Sequence, residues 1–463
     1  MVKFLIFIFL IISTNVFAQN YEVKLHIKNL PEDAQPMLLR IYNGNMYILD
    51  STAVQHQGNV TFTIPDSITP GMLRSILGMP AFSQYSNGQP VSFDFIFNRE
   101  NIEFNLDFKN PVQSLEVVKS DENRIYFDFQ KSDALFFQKL GLLEQVVLNY
   151  PDKDDFYQKA LEYYRKFQIQ RDKFIDKTFT THSNTLAGRI IKNQKIPLTA
   201  GDQTPQQRDS IFRSEFLKQI DFNDTTLLYT NVYTDKVFRY IQMFMQRDAS
   251  PRENEANCIR ALDQIVPLMN VNPTIQQHIL QFLITGFESM RMEEVLAHIS
   301  SNYLQQCGSS SEIIKRRLEG YSKMAIGQKV PDFTVTDIQG TPVNLYNNIT
   351  PYTLILFWHT GCGHCQILMN QLPALSEKGF FSDHQIKVIG ISIDESKEDW
   401  EKFSADYKLD WTNTHTEGGF ESLIANDYNL FATPTMFLID SDHNIIAKPT
   451  TLGELEKNIT ELK

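Results

Sequence analysis

From Tyr21 to about Val118, apolar and polar residues alternate in short runs separated by polar turns. "YEVKLHIKNL" and "GNVTFTIP" alternate residue by residue, and "PMLLRIYNGNMYILDSTAV" sets Asn43, Gly44 and Asn45 between two apolar runs. "VSFDFIFNRENIEFNLDF" reads as two strands around Asn98–Asn101. Alternation with a period of two turns every second side chain toward a core, and Asn-Gly supplies the backbone of a tight turn. Many short strands of this kind predict a small β-sandwich over residues 19–118.

Between residues 119 and 324 the spacing becomes helical. In "DFYQKALEYYRKFQIQRDKFI", Phe156, Ala160, Tyr163, Phe167 and Phe174 recur at intervals of three, four or seven. That puts them along one face, and a face so rich in aromatics is expected to be core. "QRDSIFRSEFLKQI", "NCIRALDQIVPLM", "TIQQHILQFLITGFESM" and "MEEVLAHISSNYLQQC" are spaced alike, with breaks expected at Pro267 and Pro273. No fixed period recurs, so the expectation is an all-α domain rather than a repeat array.

From Ala325 to Lys463 solid apolar runs alternate with helical stretches. "TLILFWH", "IKVIGISID" and "TMFLID" are buried-type strands, and "NIIAK" is a fourth after a tight turn at Asp440–Asn444. "CGHCQILMNQLPALSEKG", "SKEDWEKFSADY" and "TLGELEKNITELK" are helical. This order predicts an α/β sheet layer. The chain as a whole is therefore expected to be multidomain, which its 463 residues also require.

Composition narrows the functional classes. With 34 Phe and 18 Tyr there is ample material for packed cores. A formal net charge of −12, with no run of Lys and Arg, argues against a nucleic-acid or anionic-membrane partner. At the N-terminus Lys3 is followed by "FLIFIFLII" and then "STNVFAQ", with Val16 and Ala18 ahead of a cut between Ala18 and Gln19. This reads as a secretory signal peptide over residues 1–18. The alternative is an uncleaved anchor, but a span needs about 20 apolar residues. No cysteine stands at the cut to carry a lipid. The expected mature protein is soluble, exported and not stably inserted in a membrane, in a compartment that permits disulfide chemistry.

One short segment carries candidate chemistry. In "FWHTGCGHCQILMNQL", Cys362 and Cys365 are two residues apart at the junction of a strand and a helix. Such a box can be half a zinc site, a structural disulfide or a redox dithiol. Zinc needs a second ligand pair; Cys258 and Cys307 are isolated in the helical region, and His359 and His364 crowd the box itself. A structural bridge closing so short a loop constrains the unfolded chain little. A redox role fits the position, because the free N–H groups and dipole of a helix N-terminus favour an anion at Cys362. His364, when protonated, adds a second positive partner. Boxes of this type lower the thiol pKa from about 8.5 to about 7 or below. Cys365, one turn on, faces the same side and can resolve a mixed disulfide.

"ILFWHTGCGHC" followed by "ATPTMFLID" resembles the thioredoxin superfamily. The lead-in "IGQKVPDFTVTDIQGTPVNL" is similar to that of TlpA/ResA-like (AhpC/TSA-related) thiol–disulfide oxidoreductases and of peroxiredoxins. "KVIGISIDESKEDWEKFSADY" resembles the insert that TlpA-like proteins carry after the active-site helix. The likeness runs from Ala325 to Lys463 and implies a thioredoxin-like fold there. The β region resembles, more weakly, a domain of unknown function that precedes such modules in exported Gram-negative proteins, often with a helical region between. The resemblance implies Cys362 as the attacking thiol, Cys365 as the resolving one, and a redox-active Cys362–Cys365 disulfide. It further implies a cis Thr433–Pro434 bond facing the sulfurs, Trp358 packed beneath them, and Gly363 and His364 as site support.

Three positions depart from the pattern. Thioredoxins place Trp where this chain has Gly361, and a buried Asp where it has Leu356; TlpA/ResA-like proteins often place Glu where it has Leu368. The proton acceptor for Cys365 is thus not supplied by analogy, and His359 is the candidate. His364 matches the box of protein disulfide isomerases and implies a potential above thioredoxin's, about −270 mV. No cofactor or metal is implied. The implied partners are protein disulfides or dithiols and an upstream thiol protein that donates or accepts electrons, in the periplasm of a Gram-negative-type cell. Two alternatives remain at this point. A peroxiredoxin-like peroxidase needs a Pro-x-x-x-Thr-x-x-Cys frame, whereas Thr360 lies two residues before Cys362 and the Pro is missing. A non-catalytic binding or assembly protein would keep the box as a relic. Cys258 and Cys307 are expected to be buried thiols, or else a pair.

Overall fold

The computed structural model describes residues 20–32, 34–51, 58–78, 90–303, 312–407 and 411–462. The signal-peptide segment and Cys307 lie outside the described residues. The chain forms two compact units, Met1–Arg247 with Arg260–Phe282, and Asp248–Ile259 with Leu283–Lys463, so the helical region is divided between them.

The first unit holds strands β1 (Asn20–Lys28), β2 (Met37–Tyr42), β3 (Asn45–Ser51), β4 (Asn59–Pro65), β5 (Gly71–Gly78), β6 (Val91–Phe97), β7 (Ile102–Asp107) and β8 (Glu116–Lys119). They make two four-stranded sheets, ordered β4-β1-β7-β8 and β3-β2-β5-β6. Strict alternation along β1 sends Tyr21, Val23, Leu25 and Ile27 inward, where they share one core with Leu73, Phe93 and Phe95 of the second sheet. Asn43 and Gly44 both adopt positive φ (55° and 74°) in the β2–β3 turn, as a tight hairpin requires. β6 and β7, read as two strands around Asn98–Asn101, do not pair with each other; the chain changes sheets at that turn.

A helical hairpin, Asp121–Asn149 and Asp155–Thr181, follows. Asn123 locks its start to β6: its side-chain amide accepts from Ile96 N–H (2.8 Å) and donates to Ile96 O (2.7 Å), replacing a missing neighbour strand. The expected aromatic face is not the core face of the second helix. Of its five members only Ala160 is buried; Phe156 and Tyr163 are 55% and 47% exposed, and Phe167 and Phe174 are half-buried. The buried line instead runs through Tyr157, Ala160, Leu161, Tyr164, Gln168, Arg171 and Ile175. It includes two polar residues because each finds a partner: Arg171 is paired with Asp133 (2.7 Å), and Gln168 bonds the Thr199 backbone in both directions. Aromatic spacing cannot register those partners. Pro267 does not break its helix either; it sits in the last turn of Pro251–Met269.

His278 makes this unit acid-sensitive. It is 4% exposed, lies edge-on to Tyr42 with ring centroids 5.2 Å apart, and neither ring nitrogen has a partner among the described residues. Burial holds its imidazole down at about 4, from 6.5. The unfolded chain takes up this proton below about 6.5 while the folded chain refuses it until about 4, so stability is present above that window and lost on acidification through it. The total loss is about 3 kcal/mol at about 1.4 kcal/mol per unit. Urea midpoints measured from pH 7 to 4 should fall accordingly, and His278→Leu should flatten that slope; an unchanged slope would refute the assignment.

The second unit is built on β9 (Thr334–Asp337), β10 (Pro342–Asn344), β11 (Tyr352–Trp358), β12 (Ile386–Ser392), β13 (Thr412–His415), β14 (Thr435–Asp440) and β15 (Ile445–Ala447). They form one sheet ordered β10-β9-β13-β12-β11-β14-β15. β11 runs parallel to β12 and antiparallel to β14, and the helix Gly363–Glu377 lies in the crossover that the parallel pair needs. β11 is buried on both sides: Ile355 and Phe357 join one core layer, and Leu354, Leu356 and Trp358 the other. Its solid apolar run is the signature of such a strand.

A helix ahead of this sheet, Glu312–Lys323, braces the segment leading to β14. Arg316 bonds the Asn426 side chain, Arg317 O accepts from Asn429 (3.3 Å), and the Arg317 guanidinium lies 4.4 Å from the centre of the Phe431 ring. Cys258 is a buried thiol, pushed up to about 11 by burial and then by the Glu255 carboxylate. Among the described residues no helix is long and apolar enough to cross a membrane.

Candidate active site

β11 ends at Trp358, and four residues later Cys362 caps the helix Gly363–Glu377. Cys362 is extended (φ −90°, ψ 111°), and its Sγ accepts the Cys365 N–H at 3.2 Å. A side-chain acceptor is what a helix start lacks, so the sulfur takes the place an oxygen usually fills. The Thr433–Pro434 peptide is cis, and the Cys362 thiol donates to Thr433 O at 3.2 Å. Both cysteines are free thiols.

The two sulfurs have opposite surroundings. Cys362 is half-buried, while Cys365 is fully buried in the layer that holds Trp358, Met369 and Leu372. Burial alone pushes the Cys362 thiol up, but donation to its sulfur from the Cys365 thiol and from the N–H groups of Cys365 and His364 outweighs it. The thiol is held below its ordinary value. Cys365 is pushed up to about 12, first by burial and then by its hydrogen bond to Cys362. One sulfur is prepared to be an anion at the surface, the other to remain a thiol beneath it.

Residues just ahead of Cys362 are held by Asp394, 2% exposed beyond the end of β12. Its Oδ1 accepts from the Thr360 hydroxyl (2.6 Å) and N–H (3.0 Å), and its Oδ2 from the Ser392 hydroxyl (2.7 Å). His359 Nδ1 accepts the Gly361 N–H at 2.9 Å, which leaves Nε2 as the protonated nitrogen of a neutral ring, 3.4 Å from Asp394 Oδ1. His364 is exposed.

A family model described as the AhpC/TSA family matches residues 326–448. The thiol–disulfide oxidoreductase ResA of Bacillus cereus is 31% identical over 143 residues, covering 30% of this chain and 76% of that protein. The chain belongs to the ResA-like thiol–disulfide oxidoreductases of the thioredoxin superfamily. ResA of Bacillus anthracis is 30% identical over the same share of each chain. Among solved structures, a thioredoxin-like protein from Bacteroides caccae is 21% identical and covers 56% of this chain and 95% of its own, with a TM-score of 0.44.

Within this ResA-like module, the departures noted in the sequence acquire structural partners. At Gly361 a Cβ would meet the His359 ring at 3.1 Å, so a side chain there needs that ring to shift by a few tenths of an ångström. Leu356 and Leu368 are buried in the same layer as Cys365, so neither position offers a carboxylate to its proton. The His359 ring turns to Asp394 and Gly361, and against the burial that raises the Cys365 thiol its backbone N–H acts only as a small lowering influence. Asp394 is not singled out by the sequence, and Thr360 is singled out only as a residue that does not fit the peroxiredoxin frame. The available signal was a carboxylate just past a buried parallel strand, where ligands and sites of α/β sheets collect. Among the described residues, no group of three or more His, Cys, Asp or Glu side chains is placed to hold a metal ion.

Proposed function

We propose that this oxidoreductase exchanges disulfides with exported proteins through the Cys362-Gly363-His364-Cys365 dithiol. The observation that carries the reading is the division of labour at the helix start, with a half-exposed, hydrogen-bonded Cys362 sulfur above a buried Cys365 thiol. The Cys362 thiolate attacks one sulfur of a substrate disulfide. The substrate S–S bond breaks, a mixed disulfide forms on Cys362, and the other substrate sulfur leaves as a thiolate that is protonated by water. Cys365 then attacks Cys362, and its proton passes to the departing substrate sulfur; for His359 to take that proton instead, its ring would first have to turn from Gly361 and Asp394. The mixed disulfide breaks, the Cys362–Cys365 disulfide forms, and the substrate departs carrying two electrons and reduced sulfurs. An upstream thiol protein restores the dithiol; the same steps in reverse oxidise a substrate.

Trp358 packs beneath the sulfurs, and Thr433 and Pro434 form the rim against which a substrate segment lies. The basic and apolar opening of the chain supports a periplasmic location. The single core shared by the two N-terminal sheets supports a β-sandwich there.

Iodoacetamide alkylation of the reduced protein tests the reading. Because the thiolate reacts and the Cys362 thiol is held down, its rate should level off at a pH below the about 8.5 of a free thiol. Cys365 should stay unmodified. Equilibration against glutathione should give a potential above about −270 mV, since a stabilised thiolate favours the reduced form. A Cys362 rate that rises through pH 8.5 like that of a simple peptide thiol would defeat the proposal.

A further inference from the structure

Asp394 is a buried carboxylate outside the Cys-Gly-His-Cys box, and each of its oxygens is occupied. Beyond the two Thr360 bonds on Oδ1, Oδ2 lies 3.1 Å from the Thr360 N–H, and the Asp394 N–H donates to Ser392 Oγ at 3.1 Å. A charge this deep needs several donors, and Thr360 supplies both its backbone and its hydroxyl. Thr360 is pinned from the opposite side as well: its carbonyl accepts from Gln366 Nε2 at 2.8 Å, on the helix that carries Cys365.

Both sulfurs depend on the segment so held. The His359 carbonyl accepts the Cys362 N–H at 3.1 Å, which fixes where Cys362 enters the helix. Against the larger upward push of burial, the His359 N–H also works to lower the Cys365 thiol. One carboxylate on β12's exit thus determines the placement of the residues that set the environment of the surface sulfur and of the buried one.

We propose that Asp394 is the positioning residue of this redox site, acting on Cys362 and Cys365 through Thr360 and His359. The inference rests on the dithiol reading above. It makes a prediction opposite in sign to that of a purely electrostatic role. Removing a nearby negative charge stabilises a thiolate and shifts its titration downward. Loosening the 359–361 segment frees the Cys362 N–H from the His359 carbonyl, moves the sulfur off its Cys365 and His364 donors and shifts its titration upward.

The test uses the full chain carrying Asp394→Asn, Thr360→Ala or Thr360→Ser, with iodoacetamide alkylation of Cys362 followed from pH 5 to 10. Asp394→Asn and Thr360→Ala should each slow alkylation at pH 7 by about tenfold, with the midpoint moved up by about one unit. Thr360→Ser, which keeps the hydroxyl, should match the parent. A downward midpoint in Asp394→Asn with Thr360→Ala unchanged would replace positioning by charge and overturn the proposal, as would parental behaviour in both. If Asp394→Asn does not fold, Thr360→Ala decides alone, because it leaves the carboxylate in place. Failure of the underlying reading is distinguishable: there the parent protein itself would titrate as an ordinary thiol.

Discussion

Cys362→Ser should abolish disulfide exchange, with turnover of a protein disulfide falling by at least about a thousandfold, since a hydroxyl is neither ionised nor a sulfur nucleophile at neutral pH. Cys365→Ser should behave differently. Its exposed partner still attacks, but the buried position that would release the product now holds an alcohol, so substrate stays covalently bound to Cys362. The asymmetry follows from exposure and from the opposite shifts of the two thiols. Mass spectrometry of the non-reduced variant would show adducts on Cys362 and would identify the substrates. Accumulation of adducts on Cys365 in Cys362→Ser, at a comparable rate, would reverse the assigned roles.

Asp133→Ala should destabilise the first unit by about 3–5 kcal/mol. The Arg171 side chain is 3% exposed and gives two bonds to Asp133, at 2.7 and 3.0 Å, and one to Gln194 O at 3.0 Å. Removing the carboxylate strands a guanidinium between two helices, with the Gln194 carbonyl and the face of the Phe137 ring (4.5 Å to its centre) but no counter-charge to meet it. The double variant Asp133→Leu, Arg171→Met should recover most of the loss, because an apolar pair of similar size avoids desolvating two charges. Urea unfolding followed by far-UV circular dichroism reads both effects, provided the slope of the transition is unchanged. A loss below about 1 kcal/mol for Asp133→Ala would mean that water reaches the guanidinium and that the pair behaves as a surface one.

How much of this was legible in the sequence depended on how local the cause was. "TLILFWH" announced β11 because a strand buried on both faces has no polar position to spare, and the Cys box after it marked the helix start. The Asn43-Gly44 turn was equally plain, since few residues accept that backbone. Local signals failed wherever a distant partner decided the outcome. Asn98–Asn101 looks the same whether the flanking strands pair or pass to different sheets. Arg171 and Gln168 are polar and carry no local core signal; Asp133 and the Thr199 backbone are brought to them by the fold. Asp394 lies 34 positions from Thr360, and only the parallel register of β11 with β12, which sets Trp358 beside Ser392, puts the carboxylate under the redox loop.

The brace formed by Glu312–Lys323 bears on how the gene should be cut. A fragment begun at residue 325, where the thioredoxin-like pattern starts, would discard the helix whose Arg317 lies over Phe431 and which anchors Asn426 and Asn429, three to eight positions before the cis-proline. Expression of that minimal piece would yield a redox module whose already half-exposed Phe431 loses its remaining cover next to the substrate rim. A working fragment should therefore begin at or before Leu283, where the second unit's continuous stretch opens.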